Sequence, residues 1–511
     1  MTTPSFALVG AVNHGKSSIA ATLLEDDNIG ISGDPGQTLE SQRFDYRDGG
    51  LAVWDTPGFQ DPRGMLADIQ AAVCRSNKPL DVFQDFATRH AVTGIFVAER
   101  ELLRPLLLGA GILYVVDTSR PLMRVHEAEM ELIRLTGLPR LAILNPTGPA
   151  EHDSVWRAKL VQNFGVVHKF NALKAGIKDR ADLLRTMGTV ADEWKDLLIA
   201  VANKVETVWK SRLEDASQLI VELVDKCVSY ESNVSVAPGD DIEAAVCSLK
   251  VTFYDHLQAE EKKSREYLRK LFLHHRESLT LDIPLPNADD LFSEETWKVF
   301  GLTWPMLFAG GSVAGVCVGA KTGLIAGAIG EAAAPTGIPT TIGTVVGGMI
   351  GLVGGGAAAV TLGKRVAQPS IKKQSEEMSD TTAQPLSAVR SVFQRLGRKA
   401  LSEISKTGTR ITVGPLKGEN FPYILLDRAI DVVWHFASRT HARRDKSHID
   451  RSCKVVLDEA KAYSQHWPAE LRQACSGYLR SINKGTPNAK HEEEFRKLLA
   501  EHLGHVCEAT V

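Results

Sequence analysis

The run Gly10-Ala11-Val12-Asn13-His14-Gly15-Lys16-Ser17 sets two glycines, a lysine and a hydroxyl at the spacing that grips a chain of phosphates. Gly10 and Gly15 free the backbone to wrap phosphate oxygens with its N–H groups, and a helix opening at Lys16 adds the positive end of its dipole. Lys16 then reaches the β- and γ-phosphates, Ser17 offers its hydroxyl to Mg²⁺, and Ser18 lies beside them in the same turn. Further on, Asp55-Thr56-Pro57-Gly58 brings a carboxylate able to hold a metal-bound water and a glycine N–H able to sense the γ-phosphate. Such a four-residue match is common alone; downstream of a phosphate loop it reads as the second half of one site. Between the two, Asp34-Pro35-Gly36-Gln37-Thr38 stands in the place of a first switch loop. Thr38 is the candidate for a second protein ligand to Mg²⁺, with an ordinary loop threonine as the alternative. Lys16, Thr38, Asp55 and Gly58 are thus the catalytic candidates, and Ser17, Thr38 and Asp55 the metal candidates.

These groups act together only if strands deliver them to one edge. Short apolar runs at residues 6–10, 51–55, 112–117 and 141–145 alternate with helical stretches, and each ends at a glycine or a polar residue. The pattern predicts an α/β P-loop NTPase fold over residues 1–200, a parallel sheet with helices on both faces and its ligand at the carboxyl ends of the strands. Between Gly58 and Gly111 lies a long helical insert carrying Phe83, Phe86, Phe96, Val97, Leu102, Leu103 and the run Leu106-Leu107-Leu108. It follows the switch-like loop directly, so it either relays nucleotide state or packs as an extra element with no signalling part. Residues 201–300 are predicted helical, with long helices at 209–228 and 241–276 whose charges, such as Glu260-Glu261-Lys262-Lys263, read as solvated faces.

Residues 301–366 have a different character. Gly311, Gly315, Gly319, Gly323 and Gly327 recur every fourth residue, and Gly343, Gly347, Gly351 and Gly355 repeat the pattern after Pro335-Thr336-Gly337-Ile338-Pro339. Glycine costs roughly 1 kcal/mol per helical position relative to alanine in water. In lipid, small residues at this spacing let helices pack closely. Each segment exceeds the ~20 residues needed to span the hydrocarbon core, so a glycine-zipper hairpin that enters a membrane and returns is expected. Lys321 and Glu331 oppose insertion, since a charge at the bilayer centre costs ~2.5–3.5 kcal/mol, and a soluble hairpin with a tight small-residue seam is the alternative. Lys364-Arg365 and Lys372-Lys373 would hold the end of the second segment on the cytosolic side. Residues 367–511 are again predicted helical and charged, with basic stretches at 390–399 and 441–446 that read as solvated faces or as contacts to anionic lipid.

Composition narrows the function classes. A chain of 511 residues is too long for one core, so two or three domains are expected. A formal net charge of −3 argues against nucleic acid as a partner. Seven scattered cysteines, without a Cys-x-x-Cys pair or zinc spacing, point to a reducing compartment. The first residues lack the features of a signal peptide. The expected location is the cytoplasm with reversible membrane association, or the cytoplasmic side of the inner membrane.

Asn13, Thr38, Asp55-Thr56-Pro57-Gly58 and the strand Tyr114-Val115-Val116-Asp117 resemble the TrmE–Era group of translation-factor-related GTPases, over about residues 5–200. The whole chain resembles a bacterial GTPase family with a C-terminal helical region of unknown function, in which a glycine-rich apolar hairpin follows a segment like Leu302-Thr303-Trp304-Pro305. The resemblance implies GTP and Mg²⁺ as cofactors, and K⁺ held by Asn13, unless Asn13 simply caps its loop. Gly10, Asn13, His14, Gly15, Lys16, Ser17 and Ser18 would line the phosphates, and Asn145 and the N–H of Ala172 the guanine base. His14 itself is left without a chemical role and expected to face solvent or cap a neighbouring loop. The family's Asn-Lys-x-Asp is here Asn145-Pro146-Thr147-Gly148, which removes the aspartate that pairs with guanine and leaves GTP favoured over ATP on resemblance alone. Phe59 stands where a glutamine orients the attacking water in many signalling GTPases, so slow intrinsic turnover is expected, with help from dimerisation or a partner. The implied function is a membrane-associated regulatory GTPase that couples nucleotide state to a helical, membrane-facing domain, with a membrane or membrane-protein partner and a homodimer as expected assemblies. A dynamin-like remodeller and a non-hydrolysing nucleotide-binding scaffold are the alternatives.

Overall fold

The structure, a computed structural model, describes residues 3–31, 38–47, 49–73, 79–237, 239–240, 242–276, 409–413, 420–444, 464, 467–483 and 487–508. The glycine ridges, residues 34–37 of the first switch and the basic stretch 390–399 fall outside them. No described helix is long and apolar enough to cross a membrane.

The N-terminal unit runs β1 (Ser5–Val9), α1 (Lys16–Leu24), β2 (Gln42–Asp45), β3 (Ala52–Asp55), α2 (Pro62–Val73), α3 (Pro79–Thr93), α4 (Val97–Leu107), β4 (Gly111–Val116), α5 (Arg124–Leu135), β5 (Arg140–Leu144), α6 (Asp153–Leu160), β6 (Val167–Lys169) and α7 (Ile177–Gly188). Its strands form one sheet in the order β2-β3-β1-β4-β5-β6. All neighbours pair in parallel except β2, which is antiparallel to β3, so the sheet is mixed where a parallel one was predicted. The cause is local. Tyr46 N–H donates to Leu51 O at 2.8 Å, and a connection that short can only reverse the chain. Gln42, Arg43 and Asp45 are exposed, as suits an edge strand without an apolar run.

Covered on both faces, the central strands are apolar throughout. Phe6, Leu8, Leu113, Val115, Leu141 and Ile143 face α1, α7 and the start of α8 (Lys195–Val228). Ala7, Val9, Ile112, Tyr114, Val116 and Leu144 face the opposite way, against Phe83, Phe86, Leu102, Leu103, Leu106 and Trp156 of the insert and α6.

Beyond α8 come β7 (Ser232–Val236), α9 (Ile242–Leu271), β8 (Thr409–Val413), α10 (Asn420–Ser438), α11 (Ala469–Asn483) and α12 (Ala489–Glu508). β7 and β8 pair antiparallel, from Ser232 opposite Val413 to Val236 opposite Thr409. The stretches 201–300 and 367–511, expected to be helical, thus give one strand each to a shared ribbon. Their helices also share a core built from Ile220, Val224, Phe253, Leu257, Ile430, Val433, Phe495 and Leu499. Helix α8 joins the two units: Leu198, Val201, Ala202 and Val205 pack on the sheet, and Ala216, Ile220 and Val224 in the helical core. Residue 200 lies inside this helix.

Residues 25–29, which lead from α1 towards the first switch, form the seam between the units. Glu25 ends α1 in the left-handed region at φ +52°. Its buried carboxylate takes two bonds of 2.7 Å from Arg212 of α8 and pairs with Arg180 of α7. Asp27 Oδ2 accepts the N–H groups of His275 and Arg276 at 2.8 and 3.0 Å. Arg444 donates to the carbonyls of Asp27 and Ile29 at 3.1 and 2.9 Å, and Arg276 to that of Asn28 at 3.3 Å. The rings of His274 and His441 stack beside this grip with centroids 4.5 Å apart.

Burial alone would raise the Glu25 carboxyl, but the Arg180 and Arg212 guanidiniums outweigh it and hold the group well below the usual carboxylate range. A depressed carboxyl contributes stability that is complete above its unfolded value, near pH 4.3, and fades as pH falls below it. Glu25→Gln leaves two buried arginines without their anion and is expected to cost roughly 3–5 kcal/mol at neutral pH. Urea unfolding should show that difference constant above about pH 5 and shrinking below about pH 4.

Candidate functional site

The chain leaves β1 at Val9 and turns through residues 10–15 into α1. Gly10 takes φ +148°, and a Cβ there would lie 2.4 Å from Val115 O, so only glycine lets the loop pass β4. Gly58 is equally confined: a Cβ would lie 2.6 Å from Val12 N. Phe59 N–H donates to Gly10 O at 3.3 Å, which docks the Asp55-to-Gly58 segment onto the phosphate loop.

Ser17 Oγ donates to Asp55 Oδ2 at 2.6 Å, and Thr38 Oγ1 donates to the same oxygen at 3.3 Å. The three expected metal ligands therefore meet. Asp55 Oδ1 is buried with no hydrogen-bond partner, which is the acceptor a cation and its waters would satisfy. This hard-oxygen set suits Mg²⁺. A divalent ion held there would supply positive charge to offset that of bound phosphates. Lys16 Nζ donates to the carbonyls of Gly10 and Ala11 at 3.2 and 2.9 Å.

Burial pushes the Asp55 carboxyl up, against the Ser17 hydrogen bond and the Lys16 charge, and pushes the Lys16 ammonium down, against Asp55 and Glu129. Both charges are thus held at a desolvation cost that a phosphate beside Lys16 and a cation beside Asp55 would offset. Glu129 was not singled out in the sequence. Burial lifts its carboxyl to about 7, against a 2.9 Å hydrogen bond from Tyr114 OH and the Lys16 charge.

Ser18 follows in the first turn of α1, half-buried, and Asn13 sits in the loop in the left-handed region at φ +62°. His14 does not face solvent as expected. Its ring is 2% exposed and lies against those of His126 and Trp156, with centroids 5.3 and 6.3 Å away. Burial, with help from His126 and Lys16, lowers it to about 3.

On the base side, Asn145 Nδ2 donates to His14 O at 3.1 Å, and Asn145 Oδ1 accepts the Ala172 N–H at 3.0 Å. That N–H, expected to reach the guanine carbonyl, is instead taken by Asn145, whose amide ties the phosphate loop to the 171–173 loop. Asp117, read in the sequence only as the polar end of a strand, organises the neighbouring loop. Its carboxylate accepts from the N–H and hydroxyl of Thr147 at 3.1 and 2.7 Å and from those of Ser119 at 3.0 and 2.7 Å. At Gly148, where the family's aspartate would stand, a Cβ would meet only Ser119, at 3.5 Å.

Residues 5–145 match the 50S ribosome-binding GTPase family, and residues 157–504 match the family described as a domain of unknown function, DUF3482. The second match begins within α6 and takes in β6 and α7, so it includes the last part of the nucleotide unit. No protein of curated function matches. Among solved structures, Era from Aquifex aeolicus bound to GDP and aluminium fluoride is 17% identical, with 53% of this chain and 90% of that one covered and a TM-score of 0.27. An S. thermophilus NFeoB mutant bound to GMPPNP is 18% identical, with 52% and 90% covered and a TM-score of 0.25. At these scores the likeness says nothing about activity. The chain belongs to the DUF3482 family, and its N-terminal unit is a P-loop GTPase domain.

With glycine at position 148, the chain lacks the carboxylate that in the family's Asn-Lys-x-Asp pairs with the 2-amino group distinguishing guanine from hypoxanthine. GTP and ITP should therefore bind within about threefold of each other. Gly148→Asp, which the space beside Ser119 admits, should favour GTP by roughly tenfold or more, as expected for a hydrogen bond to a charged group. Equilibrium titration of both nucleotides against both proteins checks this.

Proposed function

We propose that this chain is a regulatory GTPase at a membrane, in which nucleotide state passes from the switch segments to the helical unit through residues 25–29. The observation that carries the reading is the grip of Arg212, Arg276 and Arg444 on that segment. It runs directly from the helix that opens with Lys16 and Ser17 towards Thr38. A helix whose N-terminus holds phosphate and whose other end is clamped to a second unit can bias that unit. GTP with Mg²⁺ is the proposed ligand, bound by the phosphate loop with Ser17, Thr38 and Asp55 around the cation. K⁺ at Asn13 is the proposed additional charge.

Phe59 is buried in the apolar core. The attacking water must therefore be oriented by backbone groups or by a partner, a second copy of the chain included, and intrinsic turnover is slow. The glycine spacing of residues 311–355 and the positive charge at Lys364-Arg365 support a membrane-inserting hairpin held from the cytoplasmic side. A membrane protein beside it is the proposed partner. Gly148 and Phe59 favour a second reading, a scaffold that holds nucleotide without hydrolysing it.

Phosphate release from Mg·GTP, measured in K⁺ and in Na⁺, separates the readings. The regulatory GTPase requires slow release, faster in K⁺, that falls by roughly 100-fold or more in Lys16→Ala, the usual cost of removing a group that stabilises transition-state charge. Release that is nil, or indifferent to Lys16, supports the scaffold. For the membrane, alkaline carbonate washing of cell membranes should leave the protein in the pellet; complete release into the supernatant rules out insertion.

A further inference from the structure

The helical insert is tied to both switch segments by two acidic residues of α4. The buried carboxylate of Glu99 accepts the N–H groups of Gln60 and Asp61 through one oxygen, at 2.8 and 2.6 Å. Those residues follow Gly58 and Phe59 and open α2, whose first turn is capped by Asp61 through Gly64 N–H at 2.9 Å. Two positions along α4, the Glu101 carbonyl accepts from Ser41 Oγ at 2.5 Å, and its carboxylate accepts Ser41 N–H at 3.4 Å. Ser41 lies three residues after Thr38 and next to β2.

The helix is itself anchored. Leu102, Leu103 and Leu106 are buried among Ala7, Val9 and Ile112 of the sheet. Arg100 donates to His90 O at 3.4 Å, and His90 and Arg89 of α3 pair with Asp68 of α2. Thus α4 is a post fixed to the sheet, with one tether to the segment that carries Thr38 and one to the segment that carries Gly58.

We propose that Glu99 is a positioning residue for GTP hydrolysis, and that α4, through Glu99 and Glu101, sets the two switch segments relative to each other. The Glu99 carboxylate bonds residues 60 and 61 rather than Ser17, Thr38 or Asp55. It holds residues 60–61, and so fixes where the Gly58 N–H stands when the γ-phosphate arrives. Misplacement by about 1 Å at a reacting centre costs up to roughly 100-fold in rate. The ground-state grip on nucleotide, made by the phosphate loop, does not pass through α4.

This inference rests on the chain being a GTPase, so turnover is scored only as the Lys16-dependent part of phosphate release. If wild-type protein has none, the GTPase reading fails and α4 is not at issue. Given that turnover, Glu99→Ala is expected to lower kcat about tenfold or more with KM for GTP within about threefold, and Glu99→Gln, which keeps a carbonyl acceptor, to restore most of it. Ser41→Ala, a small change at the second tether, is expected to lower kcat about threefold or more at unchanged KM. Should Glu99→Ala fail to fold, the Ser41→Ala and Glu99→Gln results stand by themselves. Wild-type kcat in Ser41→Ala, a Glu99→Gln rate as low as the Glu99→Ala rate, or kcat and KM changing together in all variants would overturn the proposal.

Discussion

Two opposite charges buried within one loop region, Lys16 and Asp55, set the terms for the N-terminal unit. Taking either out of water is unfavourable, and the pair is kept there by short polar contacts: carbonyls of the phosphate loop for the lysine, hydroxyls of Ser17 and Thr38 for the carboxylate. A phosphate chain beside Lys16 and a divalent cation beside Asp55 would supply the counter-charges that this arrangement lacks. Thr38 and Gly58 are held against the same few residues, Thr38 by its bond to Asp55 and Gly58 through the Phe59 N–H on Gly10 O. Under the proposed function, a change of ligand charge there would reach both segments.

The way outward from that point is short and stiff. Helix α1 has only nine residues and most of its side chains are buried, so it links Lys16 to Glu25 as a short packed element. There the chain meets three arginines from separate parts of the helical unit, beside the stacked His274 and His441. On the other face of the sheet, α4 and its two acidic residues hold the switch segments. The phosphate loop thus lies between a post fixed to the sheet on one side and a charged clamp on the other. Under the proposed function the clamp, which joins the units, is the element that would report nucleotide state.

The buried strands were legible because strands covered on both faces must be apolar, and β1, β3, β4 and β5 are. The edge strand β2 is polar, and β6 is three residues long, so neither carries that pattern. The β7–β8 ribbon joins residues far apart in the chain, and no local signal could pair them. Within the site, the phosphate loop and Asp55 were legible because backbone geometry there demands glycine at fixed spacing and the metal demands oxygen ligands. Asp117, Glu99 and Glu129 were not, because acidic residues on helices or at strand ends usually face water. The burial of His14 has no local signal either, because the rings packed against it come from residues 126 and 156. The Ala172 N–H is spent on Asn145, a long-range partner that no local pattern announces.

Under the proposed function, the seam around residues 25–29 must feel the γ-phosphate. Amide hydrogen exchange of the full chain, loaded with Mg·GDP or with a non-hydrolysable GTP analogue, measures this directly at His275 and Arg276, whose N–H groups are held by Asp27. Exchange at these two amides should differ between the nucleotides, in step with residues 58–61. Identical exchange at the seam, while the switch amides respond, would contradict it.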